Sequence, residues 1–269
     1  MGAKMAEPKF TDILYETKDG VAKIIINRAK THNSLLPSTV VDMVTAIELA
    51  EKDKTIGVIV ITGAGDRAFC SGGDVNWEKE GGLKNRHIAV NMRILHEAVR
   101  HAGKPVIAAV KGYAIGMGNH FAYSCDLTIA ADNAIFGQNG ARIGSPAEGW
   151  IVSYSSRVVG TKKARELWML CRKYNAQQAL EMGLCNVVVP LEKFDEEVDK
   201  WCQEILDLSP TVLKILKTSF EAETDNFREP APNHFLKLVA PDFFDTPEAP
   251  EGQNAFLEKR KPNFRQFRK

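Results

Sequence analysis

The segment Pro105-Val-Ile-Ala-Ala-Val-Lys-Gly-Tyr-Ala-Ile-Gly-Met-Gly-Asn-His120 decides how this chain is read. Its first part, Pro105 to Val110, is a short run of small and β-branched apolar residues, the length of a strand buried on both faces. Its second part places Gly112, Gly116 and Gly118 just ahead of a helix start that leads into Phe121-Ala-Tyr-Ser-Cys-Asp126. The unpaired N–H groups of a helix start, and the dipole behind them, favour negative charge.

An earlier segment, Arg67-Ala-Phe-Cys-Ser-Gly-Gly-Asp74, follows another apolar run ending at Thr62. Adjacent glycines let backbone come close to a ligand and turn an N–H outward. Either loop taken alone reads as a tight turn. Taken together they offer two N–H groups for one oxygen, an arrangement that stabilises an enolate or tetrahedral oxyanion by about 3 kcal/mol per donor. Neither segment has the GxxxxGK[ST] form of a phosphate loop, and the GxG of the second lacks the acidic partner expected ~20 residues later in a dinucleotide fold.

Val21 to Ile26, Gly57 to Thr62 and Leu127 to Ala131 are further strand-length apolar runs. Between them lie helical stripes, Val40, Val44, Ile47 and Ala50 in one and Ile94, Leu95, Ala98 and Val99 in another. The alternation implies an α/β fold with crossovers. After Gly160 the pattern predicts helices over Lys162 to Tyr174, Ala176 to Met182, Leu191 to Leu208 and Pro210 to Glu221, the last capped by Ser209 with Pro210 in its first turn. Five prolines between Phe227 and Pro250 argue for an irregular connector, and Asn254 to Lys261 reads as a final helical segment before a basic tail.

The chain has 269 residues, 44% hydrophobic and 26% charged, enough for one large α/β body with a substantial core. A formal charge of +1 gives no overall field for nucleic acid or a membrane surface. The five cysteines, Cys70, Cys125, Cys171, Cys185 and Cys202, are widely spaced and odd in number, without a CxxC pair, so neither a zinc site nor a disulfide framework is expected. With no apolar run of ~18 residues, a soluble, cytoplasmic protein is expected.

Four ordered stretches resemble the crotonase (enoyl-CoA hydratase/isomerase) superfamily: Ile26-Asn-Arg28 with Asn33, Ala68 to Asp74, Gly112 to Gly116 running on to Cys125-Asp126, and Asn254-Ala-Phe-Leu-Glu-Lys-Arg-Lys261. The resemblance implies a spiral of strand-strand-helix units over 1–200 and a helical oligomerisation and CoA-contacting region over 201–269, assembling as trimers that often pair into hexamers. It carries oxyanion donors onto the backbone N–H groups of Gly73 and Met117. Coenzyme A contacts fall on Lys30, Ser34, Ser71, Asp74, Phe256 and Lys259. Coenzyme A enters as part of the substrate, and no metal, permanently bound cofactor or nucleic-acid partner is implied.

Ile135-Phe-Gly-Gln138, Gly144-Ser145, Lys162 to Glu166 and Leu170 to Tyr174 resemble the branch that holds 2-ketocyclohexanecarboxyl-CoA hydrolase and 1,4-dihydroxy-2-naphthoyl-CoA synthase. Hydratases of the superfamily use two glutamates; here those positions hold His120 and Gly140. The synthase's aspartate position is Ala147, with Glu148 beside it, and Phe243-Phe244 stand where a tyrosine is expected. His120, with an ordinary pKa near ~6.5, is a candidate general base, as well as a candidate packed core histidine. Glu148 is a candidate to orient it or act alone, and Ser145 to bond a substrate oxygen. The other histidines are expected to be solvated.

The expected reaction is hydrolytic carbon–carbon ring opening of a cyclic β-oxoacyl-CoA. Hydration of an alicyclic enoyl-CoA and synthase-like ring closure are the enzymatic alternatives. A non-catalytic RNA-binding or scaffold homologue is the alternative of another class.

Overall fold

The computed structural model describes residues 9–82, 86–147, 149–225 and 239–267. One sheet contains β1 (Ile13–Lys18), β2 (Val21–Ile26), β3 (Val58–Gly63), β5 (Val106–Val110), β7 (Leu127–Ala131) and β10 (Val187–Val189), in the order β1-β2-β3-β5-β7-β10. A second contains β4 (Ala68–Cys70), β6 (Tyr113–Ile115), β8 (Ile135–Gly137) and β9 (Lys173–Asn175), in that order. The pairs β3/β4, β5/β6 and β7/β8 each give one strand to each sheet, so the chain climbs as a spiral of repeated units.

The apolar runs explain the first sheet. On β3, Ile59 and Ile61 face one core, shared with Val106, Ala108 and Val110 of β5, while Val58 and Val60 face another with Ile107 and Ala109. Strands buried on both faces are parallel here, as such strands usually are. The antiparallel β1–β2 hairpin turns on Asp19-Gly20, both at positive φ (48° and 83°), the Asp-Gly pair that a tight hairpin demands.

Helices α1 (Pro37–Lys52) and α3 (Arg86–His101) cover the first face through Val40, Met43, Ile47, Leu95 and Val99. Between them in sequence is the short α2 (Val75–Lys79). Helices α4 (Met117–Ala122), α5 (Gly140–Ile143), α6 (Trp150–Val159), α7 (Thr161–Leu170) and α8 (Ala176–Met182) follow. The other face is covered by α9 (Phe194–Leu206), through Phe194, Val198, Cys202 and Ile205. This helix runs through 200/201 without a break, so the expected boundary falls inside one continuous element.

Helix α10 (Pro210–Asp225) begins at Pro210, with the Ser209 hydroxyl accepting from the Val212 N–H. It is pinned by Lys217, 6% exposed, whose ammonium donates to Asp126 Oδ2 (2.7 Å) and to the carbonyls of Val99 and Lys104.

Three expectations are corrected. The helix predicted over Lys162 to Tyr174 ends at Leu170: Cys171 turns left-handed (φ 51°), and Lys173–Asn175 pairs antiparallel with β8, tertiary strand pairing overriding local helical periodicity. The segment from Leu191 opens with a short 3-10 turn over Leu191–Lys193 before α9. The last helix, α11, spans Glu248–Leu257 rather than Asn254 to Lys261. It accommodates Pro250 because first-turn residues need no intrahelical N–H donor. It stops where Lys259 turns left-handed (φ 55°), with the Arg260 N–H bonded back to the Ala255 carbonyl and that of Lys259 to Phe256. Of the proposed connector, residues 227–238 lie outside the described residues.

Candidate functional site

The three parallel strands β4, β6 and β8 end side by side, and each leads into a short helix, α2, α4 and α5 respectively, the first two through glycine turns. Carboxyl ends of neighbouring parallel strands are where α/β sheets hold ligands. A cavity of about 210 Å³ opens there. Its walls include Gly72, Gly73, Glu78, Met117, His120, Gln138, Ser145, Trp150 and Trp168.

The first turn is set by a single parallel bridge between Leu35 and Gly73. Leu35 donates to the Gly72 carbonyl and accepts from Asp74, so the Gly73 N–H points away from that bridge. In the second turn, Gly116 at φ 59° caps α4 and its carbonyl accepts from Asn119 and His120, leaving Met117 at the helix start. Among the described residues, neither the Gly73 nor the Met117 N–H has a backbone acceptor. The two turns touch: a Cβ on Gly72 would lie 3.5 Å from the Met117 nitrogen. Gly118 is required for the same closeness, since a Cβ there would lie 2.0 Å from the Cys70 carbonyl oxygen.

Helix α4 is wholly buried, which puts His120 in the wall at 6% exposure. Its Nδ1 bonds Nε2 of His96 at 2.9 Å, and its ring stacks on Trp168. Burial, together with neighbouring His96, holds the His120 pKa well below 6.5, so the ring is neutral near pH 7. His96 is itself buried at 5% exposure and lines the cavity. The expectation that it is solvated is therefore wrong. Its spacing from other histidines carried no metal signal, and the partner that draws it inward is far away in sequence.

Glu78 was not singled out from the sequence. It lies one turn into α2, 8% exposed, on the cavity wall. Burial pushes its pKa up to about 7, against a hydrogen bond from Ser145 that favours the carboxylate; the charge of Asp74 adds to the rise. Its Oε2 has no hydrogen-bond partner among the described residues, and the same holds for Nε2 of Gln138. Only the short spacing from Asp74 to Glu78, which caps and then turns a helix back over Gly73, could have signalled it.

Of the other expected site residues, Ser145 and Ser71 line the cavity. Ser34 and Asp74 are buried and bonded to each other (3.0 Å) and to Arg28. Burial works to raise the Asp74 pKa, but hydrogen bonds from Ser34, the Trp77 N–H and Arg28 outweigh it and leave the carboxylate below its ordinary range. Asp74 also caps α2 through the Asn76 and Trp77 N–H groups. These two side chains thus hold the Gly73 turn in shape. Lys30, Phe256 and Lys259 are exposed and do not line the cavity, while Glu148 lies outside the described residues. Helix α11 nonetheless packs against the site's rim: a Cβ on Gly252 would lie 2.3 Å from the backbone of Ile143.

Among the described residues no group of three or more His, Cys, Asp or Glu is arranged to hold a metal, and no helix is long and apolar enough to cross a membrane. All five cysteines are free and buried. Burial raises the thiol of Cys70 to about 12.

A spiral of this topology with two glycine turns at one cavity is a fold with a formed ligand site, and the comparisons make it specific. Residues 16–268 match the enoyl-CoA hydratase/isomerase family, and the chain belongs to it. An enoyl-CoA hydratase from Mycobacterium avium subsp. paratuberculosis K-10 is similar at 28% identity and TM-score 0.83, covering 95% of this chain and 99% of that one. An enoyl-CoA hydratase from Bacillus anthracis is similar at 28% identity and TM-score 0.75, covering 94% and 99%. A methylmalonyl-CoA decarboxylase complexed with 2S-carboxypropyl-CoA is similar at 25% identity and TM-score 0.86, covering 96% and 99%.

Proposed function

We propose that this protein acts on acyl-coenzyme A thioesters and catalyses hydrolytic ring opening of a cyclic β-oxoacyl-CoA. The observation that carries the reading is the pair of N–H groups, Gly73 and Met117, brought to one cavity by adjacent strand ends with no backbone acceptor of their own among the described residues. They would hold the thioester oxygen, and the negative charge that collects on it as an enolate forms. The family match and the coenzyme A ligand named for the decarboxylase structure support a thioester as the group bound.

The neighbouring groups support ring opening. Where a glutamate pair would serve a hydratase, this site has His120, neutral and buried, with Nδ1 already engaged by His96. His120 Nε2 takes a proton from water as the water oxygen bonds to the ring ketone carbon. The bond between that carbon and the α-carbon then breaks, and its electron pair becomes the thioester enolate on Gly73 and Met117. Protonation of the α-carbon completes an open-chain acyl-CoA bearing a new carboxyl group. Trp150, Trp168, Ile143 and Ile151 give the cavity flat, apolar walls suited to a carbocycle. Coenzyme A leaves attached to the product, so no separate cofactor is consumed.

Incubation with 2-ketocyclohexanecarboxyl-CoA followed by mass spectrometry tests this directly. The expected product gains one water and has an opened chain. An unreacted ketone, together with hydration of cyclohex-1-enecarboxyl-CoA to a ring-intact alcohol, would reject ring opening in favour of a hydratase.

A further inference from the structure

We propose that Glu78 is a catalytic acid–base residue, delivering the proton to the α-carbon of the enolate; this rests on Gly73 and Met117 being the oxyanion donors. The geometry is the ground for it. A Cβ built on Gly73 would lie 2.3 Å from Glu78 Oε1, so the carboxyl group rests against the Gly73 backbone itself. A thioester oxygen bonded to the Gly73 N–H has its α-carbon only two bonds away, which brings that carbon to the region Glu78 occupies. By the same contact, a side chain at residue 73 would displace the carboxyl group from this position.

The surroundings of Glu78 suit proton transfer better than structure. Ser145, on the same cavity wall, is the hydrogen-bonding neighbour that favours its carboxylate form. Oε2 has no hydrogen-bond partner among the described residues, although a buried carboxyl oxygen left unpaired costs stability. Among the described residues, no cation is among the groups that shift its titration. A carboxyl group poised near neutrality is populated in both forms at working pH, as a group that gives and regains a proton each turnover must be. In the step itself the enolate's electron pair forms the new C–H bond while the Glu78 O–H bond breaks. Glu78 is left as carboxylate, and exchange with solvent restores its proton.

The test uses cyclohexanecarboxyl-CoA, which carries an α-hydrogen but no ring ketone, in D2O. The intact enzyme is expected to exchange the α-hydrogen for deuterium, with a rate that rises with pH through about 7, because exchange begins with the carboxylate form. Glu78→Gln should lower exchange by about 100-fold or more, with CoA binding retained and the thermal midpoint no lower than the parent's, and Glu78→Asp should restore part of it. Ser145→Ala keeps the carboxyl but removes a bond that favours its ionised form, so the inflection should move up in pH.

Absence of exchange in the intact enzyme, or equal exchange in Glu78→Gln, overturns the proposal. Because this probe cannot be opened, Glu78-dependent exchange without ring opening of the oxo substrate would remove the proposed reaction and leave the role of Glu78 standing. Ring opening that is indifferent to Glu78→Gln would do the reverse.

Discussion

Nε2 of His96 lies 2.9 Å from Nδ1 of His120, with the two rings 28° from parallel and their centroids 5.0 Å apart. One histidine comes from α3 and the other from α4, so the bond fixes the orientation of His120 from outside its own helix. With Nδ1 occupied, Nε2 is the nitrogen left to meet water.

His120→Ala is expected to lower the ring-opening kcat by roughly 10²–10⁴-fold, the usual worth of a general base, with KM within about threefold. His96→Gln retains an acceptor for the His120 N–H and should keep most of the rate, whereas His96→Leu should not. Since burial holds the His120 pKa well below 6.5, the acid limb of the rate profile assigned to it should lie below pH 6.5. Steady-state kinetics across pH decide this; unchanged turnover in His120→Ala would remove it from the reaction.

Glu78 links the site to stability. Its folded pKa, about 7, lies above the ordinary carboxyl value of 4.5, so the folded state binds more protons than the unfolded state between those pH values. Stability therefore falls as pH rises through that window and levels off above it, by on the order of 3 kcal/mol for this single group. Glu78→Gln should flatten that slope and raise the thermal midpoint above pH 7 while lowering α-hydrogen exchange. Chemical denaturation at pH 5 and pH 8 measures it; equal pH slopes in both proteins would contradict the burial argument.

In the proposed reaction Met117 would donate through its backbone, so replacing its side chain would not remove the donor, but proline would. Met117 is the first residue of α4, the helical position that accepts proline most readily, and the preceding Gly116 has no Cβ to clash. Met117→Pro should fold, keep α4, and lose about 10²–10³-fold in kcat. Met117→Ala, which keeps the N–H, should stay within about tenfold of the parent. Circular dichroism with kinetics separates the two outcomes, and a fully active Met117→Pro would dismiss that donor.

The strands of the large sheet could be read from sequence because Val58 to Thr62 and Val106 to Val110 are apolar on both alternations, a pattern that only double-sided burial explains. The glycine turns could be read for a similar reason: Gly112 and Gly118 sit where a Cβ would strike backbone within 2.2 Å. What escaped was decided by partners distant in the chain. Tyr174 lies in a strand because β8 is there to pair with it, and His96 turns inward because His120, 24 residues on, meets it. Glu78 has the composition of an ordinary helical surface residue in the stretch Val75-Asn-Trp-Glu-Lys79. Only the cap on Asp74, which aims that turn back over Gly73, makes it a buried acid.

Lys217 gives a last test, of how the C-terminal helices are tied to the spiral. Its three ammonium donors are matched one to one by Asp126 Oδ2 and the carbonyls of Val99 and Lys104, and Asp126 Oδ2 also accepts the Val106 N–H at 2.7 Å. The ion pair thus joins α10 to the start of β5 and the end of α3. Lys217→Met would leave two carbonyls and a partly buried carboxylate without their donor, so a loss of about 3 kcal/mol is expected, as when one partner of a buried pair is removed. Asp126→Asn should cost less, because an amide oxygen can still accept from Val106 and Lys217. Since the site residues are untouched, the kcat of the folded fraction should hold for both variants, while hydrogen exchange across Pro210–Asp225 should rise in Lys217→Met. Denaturant titration and exchange mass spectrometry measure the two effects, and a Lys217→Met protein as stable as the parent would show that α10 is held by its apolar contacts alone.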